Sequence, residues 1–321
     1  MRGLRTLGLL ALYVGAQVVA LALALPFKSL GLTSSSNPNS PTAPLFIIVA
    51  VIVAPLVILW GARRRGGLPT LRWVILVAIA ASLDFTLYYT LSLFLTATYL
   101  PPPGLAQVFD PAAVIAGVVS STLLLALLME PQWYVIDTVG FLAAGSLIAL
   151  LGISFGILPV FILLGVLAVY DAIAVYRTKH MVSLADAVTE MKLPILMVMP
   201  SSAGFDFTRA PSLKTQQARP VEEREATFMG LGDVVIPGAL IVSAFVWLPT
   251  SPHLLGVGAN LWVAVGALLG SLAGYAFLMR RALSGNPQAG LPFLNGGAVV
   301  GYIVTFLAVF HSVGLGFSLS F

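Results

Sequence analysis

The chain has 321 residues, of which 59% are hydrophobic and only 9% are charged, far below the roughly 25% charged content of soluble domains. This composition excludes an ordinary soluble protein and indicates an integral membrane protein. The sequence contains no cysteine, so disulfides, thiolate metal sites and cysteine nucleophiles are excluded as well.

Nine apolar runs follow one another along the chain, each near the ~20 residues that a helix needs to cross the hydrocarbon core. They are 8–26, 44–62, 73–95, 112–129, 135–153, 155–176, 226–248, 259–279 and 291–313. We therefore predict an all-α polytopic membrane protein, a single nine-helix membrane domain spanning residues 1–321. Helices one to six occupy 1–176, a connecting loop occupies 177–225, and helices seven to nine occupy 226–321.

The basic residues predict the orientation of these helices. Of the 16 Lys and Arg residues, all except Lys28 fall on one side of the predicted membrane. Basic residues in short loops are retained in the cytoplasm, and this distribution explains the net charge of +4 without a nucleic-acid partner. We predict a cytosolic amino terminus, a cytosolic loop at 177–225 and an extracytosolic carboxyl terminus. The first apolar run exceeds the 7 to 15 residues typical of a signal peptide, so we expect an uncleaved first helix.

Two aspartates lie inside predicted helices, Asp171 in the sixth and Asp233 in the seventh. An ionisable group at membrane depth is costly to bury and usually serves a function in a water-filled cavity. At 1.5 Å rise per residue, they lie roughly 9 Å and 12 Å from the cytosolic face. Two carboxylates at similar depth predict a proteolytic pair. Asp84 is expected to have a structural role, and Asp137 is expected to lie near enough to the interface to be solvated.

Three motifs accompany the aspartates: Tyr170-Asp171, Gly230-Leu231-Gly232-Asp233, and Leu291-Pro292-Phe293-Leu294 at the start of the ninth helix. In this order, and with nine helices, the chain resembles the intramembrane aspartyl proteases that include presenilin, signal peptide peptidase and their archaeal homologues. One departure is Phe293, where the family motif Pro-Ala-Leu has alanine.

The resemblance implies that Asp171 and Asp233 are catalytic. It also implies that substrate is positioned by the remaining motif residues, which are Tyr170, Gly230, Leu231, Gly232, Pro292, Phe293 and Leu294. From the residues alone, the two glycines allow a helix or substrate backbone to approach closely. Pro292 has a second interpretation, because proline begins a helix at little cost.

Paired carboxylates fit amide hydrolysis, since one can take a proton from water while the other gives a proton to the carbonyl oxygen or leaving nitrogen. Like charges this close cannot both stay ionised, so the pair is expected to share a proton. The expected substrates are transmembrane helices, such as remnant signal peptides or type II membrane proteins. The run 193–200 is a candidate strand for binding an unwound substrate, or else a packed apolar segment, and the polar stretch 201–220 is expected to be mobile.

Two other functions remain open at this point. Paired intramembrane carboxylates also serve proton- or cation-coupled transporters, and a prepilin-type aspartyl peptidase also uses a Gly-x-Gly-Asp element. We expect no metal and no cofactor, since His180, His253 and His311 form no His-Glu-x-x-His motif. The expected partners are transmembrane substrates and membrane lipid, and homo-oligomerisation is possible. The expected location is an archaeal cell membrane, or an endomembrane in a eukaryote.

Overall fold

The computed structural model describes residues 2–35, 37–62, 67–98, 110–177, 189, 191–202, 204–207, 209, 215, 223–282 and 288–317. Much of the predicted connecting loop lies outside the described residues, together with several of the basic residues that predict orientation. These basic residues are Arg63, Arg64, Arg65, Lys179, Lys214 and Arg219.

Helices dominate the described chain, because a long apolar segment in lipid must satisfy its backbone hydrogen bonds within itself. In the described residues, nine helices of at least 16 residues follow one another. They are α1 (Arg2–Ser29), α2 (Leu45–Ala62), α3 (Gly67–Thr98), α4 (Pro111–Met129), α5 (Trp133–Ser154), α6 (Ile157–Ala172), α7 (Leu231–Trp247), α8 (Ala259–Ala282) and α9 (Leu291–Phe310). A π-helical turn, Ile173–Arg177, continues α6.

Seven of these helices are long and apolar enough to cross a membrane by length and composition, within the residues that the structure describes, when α6 is counted together with its π-helical turn as Ile157–Arg177. The two shorter apolar helices are Leu45–Ile58 of α2 and Leu231–Trp247, which is α7. With 17 residues, α7 reaches about 25 Å at 1.5 Å per residue. A multi-span membrane protein is therefore supported, while nine crossings and the orientation of the termini stay predictions.

Two small sheets correct the all-α prediction. Strand β1 (Leu196–Pro200) pairs antiparallel with β2 (Ala226–Gly230), and β3 (His253–Leu254) pairs with β4 (Val257–Gly258) between α7 and α8. Because β2 occupies the first five residues of the predicted seventh helix, α7 begins at Leu231. A short apolar run has no periodicity that separates strand from helix, and here the pairing with β1 decides.

The central helix of the bundle is α7. Every residue from Val234 to Ala244 is buried, and side chains of α7 belong to two apolar clusters. One cluster joins α7 to α6, α8 and α9, and the other joins it mainly to α1 and α5. A helix enclosed by neighbours in this way is positioned by protein packing rather than by lipid.

Glycines bring α8 and α9 into backbone contact. A Cβ added at Gly270 would meet the carbonyl oxygen of Gly297, and one added at Gly297 would meet that of Gly270. Small residues let membrane helices approach closely enough for such contacts. The position of α9, and of the segment that precedes it, is therefore fixed against α8.

The described part of the stretch 201–220 is partly packed, contrary to the expectation of a mobile loop. Phe205 and Phe207 belong to an apolar cluster with α3, α5 and β1. Gln132, at the start of α5, donates to Asp206 at 3.0 Å and accepts from the Phe207 N–H at 3.3 Å. Lys192 donates to the Phe207 carbonyl at 2.7 Å, and burial lowers the pKa of Lys192.

Candidate active site

Asp171 is the penultimate residue of α6, and the π-helical turn begins two residues later at Ile173. Its side chain is buried, with a relative exposure of 6%. The backbone N–H of Leu291 donates to Asp171 Oδ2 at 3.1 Å. Single π-helical turns occur frequently at functional sites, and here the turn follows the end of the helix that carries the carboxyl group.

Asp233 lies in the first turn of α7, where the unpaired N–H groups of a helix start favour an acidic side chain. Gly230, the residue before α7, faces this carboxyl: a Cβ there would lie 3.3 Å from Asp233 Oδ2. The strand β2 ends at the same glycine. The sheet therefore leads directly into the turn that carries Asp233.

The two carboxyl groups meet at the start of α9. A Cβ built on Gly290 would lie 2.7 Å from Asp233 Oδ2 and 2.8 Å from its Oδ1, so the Asp233 carboxyl occupies the place of a side chain there. The N–H of the next residue, Leu291, binds Asp171. Elements α6, α7 and α9 thus bring both acids to one dipeptide, Gly290-Leu291.

The other residues of the two aspartate motifs lie at the edge of this site. Tyr170 is partly exposed, and Gly232 is exposed with open space where its side chain would be. Leu231 is partly buried, and its N–H donates to the Ile195 carbonyl at 2.9 Å. The open space at Gly232 fits the approach of another backbone better than helix packing.

The proline motif of α9 divides between the helix start and the core. Pro292 lies in the first turn of α9, as its helix-starting interpretation predicts, and Leu294 is fully buried. The Phe293 ring packs against Phe277 of α8 with centroids 5.4 Å apart, and the Arg281 guanidinium lies 5.7 Å from its centroid. The large side chain is therefore accommodated against α8.

Sequence reasoning missed Gly290, which gives the Asp233 carboxyl its room. It also missed Tyr176 of the π-helical turn, whose hydroxyl donates to Gln288 Oε1 at 3.1 Å and accepts from the Ala289 N–H at 3.3 Å. Gly290 could have been noticed because it directly precedes Leu291-Pro292, the predicted start of the ninth helix. Tyr176 gave none, because its partners lie more than a hundred residues away.

The two remaining intramembrane acids have separate partners. Asp84 Oδ1 accepts from the Ser120 hydroxyl on α4 at 3.1 Å, in keeping with its expected structural role. Asp137 is buried, with a relative exposure of 5%, rather than solvated as expected, and it accepts from the Val198 N–H of β1 at 2.7 Å. Across the described ranges, no group of three or more His, Asp and Glu side chains could hold a metal ion.

Comparison with known proteins identifies the family of the chain. The profile of the family described as "Signal-peptide peptidase, presenilin aspartyl protease" matches residues 10–311. A solved structure of a presenilin family intramembrane aspartate protease, in space group C222, is 31% identical, with a TM-score of 0.64 over 95% of this chain and 99% of its own. A structure in space group P2, under the same description, is 31% identical with a TM-score of 0.61 over 94% and 98%. A search of curated proteins found no match.

The fold and the family match define an integral membrane aspartic endopeptidase. The chain belongs to the presenilin and signal peptide peptidase family of intramembrane aspartyl proteases.

Proposed function

We propose that Asp171 and Asp233 are the catalytic pair of this protease and that its substrates are transmembrane helices. One observation carries the assignment: both carboxyl groups converge on the Gly290-Leu291 dipeptide, although they come from different helices. Asp84 and Asp137 have hydrogen-bond partners of their own elsewhere.

In the proposed mechanism, one carboxylate takes a proton from a water molecule as its oxygen adds to the scissile carbonyl carbon. The other carboxyl group gives its proton to the carbonyl oxygen, which produces a tetrahedral gem-diol and no covalent enzyme intermediate. Collapse of the gem-diol breaks the C–N bond: the leaving nitrogen receives a proton from the pair, and one gem-diol hydroxyl returns its proton to the pair as the carbonyl bond forms again. Asp171 and Asp233 share one proton at the start because two adjacent carboxylates cannot both remain ionised.

The substrate helix must unwind locally before its carbonyl group can be attacked, and strand addition would stabilise the unwound segment. Among the described residues, β2 pairs with β1 alone, so its opposite edge could receive the substrate strand. Hydrogen bonds from Leu231 N–H to Ile195 and from Ser201 N–H to Glu225 set the alternation of the antiparallel ladder. In such a ladder every second residue pair is hydrogen-bonded, and Val198–Phe228 is one of the pairs that are not. The Phe228 N–H and carbonyl therefore point away from β1, toward the place of an added strand.

The motif residues would then line the substrate path. Gly232 leaves room for the substrate backbone beside Asp233, and Tyr170 lies next to Asp171 on the partly exposed side of α6. The proposed setting is an archaeal cell membrane crossed nine times, with remnant signal peptides or type II membrane proteins as substrates.

The test is cleavage of a transmembrane peptide by the purified protein reconstituted in liposomes. We expect Asp171→Ala and Asp233→Ala each to lower turnover by about a hundredfold to ten-thousandfold, as loss of a general acid or base does. Asp84→Ala is the matched control, because it removes an intramembrane carboxyl group that accepts from Ser120 of a neighbouring helix, and it should retain cleavage. An aspartyl transition-state analogue should inhibit the wild type.

Substantial cleavage by either catalytic variant would refute the assignment of the pair. Ion flux through wild-type liposomes without peptide cleavage would favour a transporter, and cleavage of a soluble cytosolic leader would favour a prepilin-type peptidase.

A further inference from the structure

Asp137 is a buried carboxyl group that the proposed mechanism does not use. It lies in the second turn of α5 with a relative exposure of 5%. Its Oδ1 accepts from the Val198 N–H at 2.7 Å, and no hydrogen-bond partner for its buried Oδ2 is found among the described residues. A buried polar atom without a partner costs stability, so packing alone does not account for a carboxyl group here.

The hydrogen bond between Asp137 and Val198 lies at the edge of β1 opposite β2. Val198 stands opposite Phe228 in the β1–β2 register, and the ladder alternation directs its N–H away from β2. The same face of α5 continues at Gly140, where an added Cβ would lie 3.5 Å from the Pro194 carbonyl oxygen and 3.6 Å from Leu231. Asp137 therefore contacts the middle of β1, and Gly140 lets the segment just before β1 pack closely against α5.

The position of this sheet bears on the site. β2 ends at Gly230 and passes directly into the turn of α7 that carries Asp233. The Leu231 N–H is bound to the Ile195 carbonyl just before β1. A shift of β1 away from α5 would therefore displace the β2 edge relative to the aspartate pair.

We propose that Asp137 is a positioning residue for substrate: its hydrogen bond to Val198 anchors the β1–β2 sheet on α5, closes the β1 edge, and leaves the β2 edge to bind the unwound substrate beside Asp233. The inference rests on the proposed function, since it assigns a role in substrate binding to the same site. Asp137 does not contact the reacting atoms itself.

The experiment compares Asp137→Ala with Asp137→Asn in the reconstituted cleavage assay, with cleavage positions mapped by mass spectrometry. We expect Asp137→Ala to raise KM by about tenfold, the upper end of the effect of losing one ordinary hydrogen bond, with a smaller change in kcat and a wider spread of cleavage positions. Asp137→Asn keeps an acceptor oxygen for Val198 and should restore KM and the cleavage pattern. Asp84→Ala should leave both at wild-type values.

Wild-type KM and cleavage positions in Asp137→Ala would overturn the proposal, as would an Asp137→Asn variant equally impaired in both. If Asp171→Ala in the same assay is active, the proposed function fails instead, so the two failures are distinguishable.

A second variant, Val198→Pro, tests the same hydrogen bond in case Asp137→Ala does not fold. Val198→Pro removes the N–H donor while leaving the carboxyl group and the hydrogen bonds between β1 and β2 in place. It should raise KM as Asp137→Ala does, and cleavage positions should spread in the same way. Unchanged KM in a folded Val198→Pro variant would overturn the proposal. Where the single variants fold, their effects on KM should be strongly non-additive in the double variant, and additive effects would contradict a shared interaction.

Discussion

At the residue scale, Gly290 determines how closely Asp233 can approach the start of α9. The Asp233 carboxyl lies where a Gly290 side chain would be, while the next N–H along the chain binds Asp171. Phe293, which stands in place of the family's alanine, packs against α8 instead. In this chain the small residue beside the acids is therefore the glycine before the helix rather than a residue of the proline motif.

Gly290→Ala should lower the rate of peptide cleavage by about a hundredfold, the order expected when a catalytic group is displaced by about 1 Å. The new Cβ would meet the Asp233 carboxyl oxygens at 2.7–2.8 Å, so the carboxyl group must move. Gly290 has ordinary right-handed helical backbone angles, so alanine adds no backbone strain. The measurement is kcat for the liposome reaction, together with thermal unfolding.

Gly296→Ala is the matched control for this change, because it adds the same methyl group to α9 at an exposed position, where no described atom beyond the adjacent backbone of α9 lies within 4 Å. It should cleave at the wild-type rate. Equal activity in the two alanine variants would show that Asp233 needs no room at Gly290.

Sequence alone could identify the aspartates, because a carboxyl group within an apolar run is costly wherever the chain places it. It could not identify Gly290, Tyr176 or the partner of Asp137. Each of these contacts joins elements more than fifty residues apart, and no local pattern encodes such a meeting. Asp137 was expected near solvent from its depth alone, and the strand that covers it could not be inferred from α5.

At the element scale, the β1–β2 sheet separates what a hydropathy pattern can predict from what it cannot. The run 193–200 suggested a strand as one of two alternatives, and β1 forms within it. The sequence predicts β2 as the first part of the seventh helix, because Ala226–Gly230 is apolar and directly precedes α7. Pairing across the long connection creates both strands, and that pairing depends on the positions of α5 and α7.

Phe228→Pro tests the free edge of β2. Proline removes the N–H that points away from β1 and is tolerated at sheet edges. Phe228→Ala is the matched control, since it loses the same ring contact with Phe207 but retains the N–H. We expect KM for the transmembrane peptide to be about fivefold to tenfold higher in Phe228→Pro than in Phe228→Ala, as for one lost hydrogen bond.

This comparison also has an outcome that would contradict strand addition at β2. Equal KM values in the two variants, with both unfolding at similar temperatures, would mean that substrate does not pair with the β2 backbone. A lower unfolding temperature in Phe228→Pro alone would instead show that the Phe228 N–H stabilises the folded protein itself.

At the scale of the whole molecule, a buried central helix is surrounded by helices that carry exposed apolar side chains. α7 is short for a membrane span, but its buried stretch, Val234–Ala244, packs against α6, α8 and α9 on one side and α1 and α5 on the other. The aspartate pair therefore lies at one end of the bundle, where α6 ends and both α7 and α9 begin. That end is the cytosolic one if the distribution of basic residues fixes the topology.

Cysteine labelling tests this orientation, and the chain suits the method because it contains no cysteine of its own. Thr42, between α1 and α2, and His253, between α7 and α8, are exposed positions expected on the outer side. Glu130, directly after α4, and Glu223, before β2, are exposed positions expected on the cytosolic side. With nine crossings and a cytosolic amino terminus, a membrane-impermeant maleimide should label Thr42→Cys and His253→Cys in intact cells. Glu130→Cys and Glu223→Cys should react only after lysis, and the reverse pattern would place the aspartate pair near the outer face.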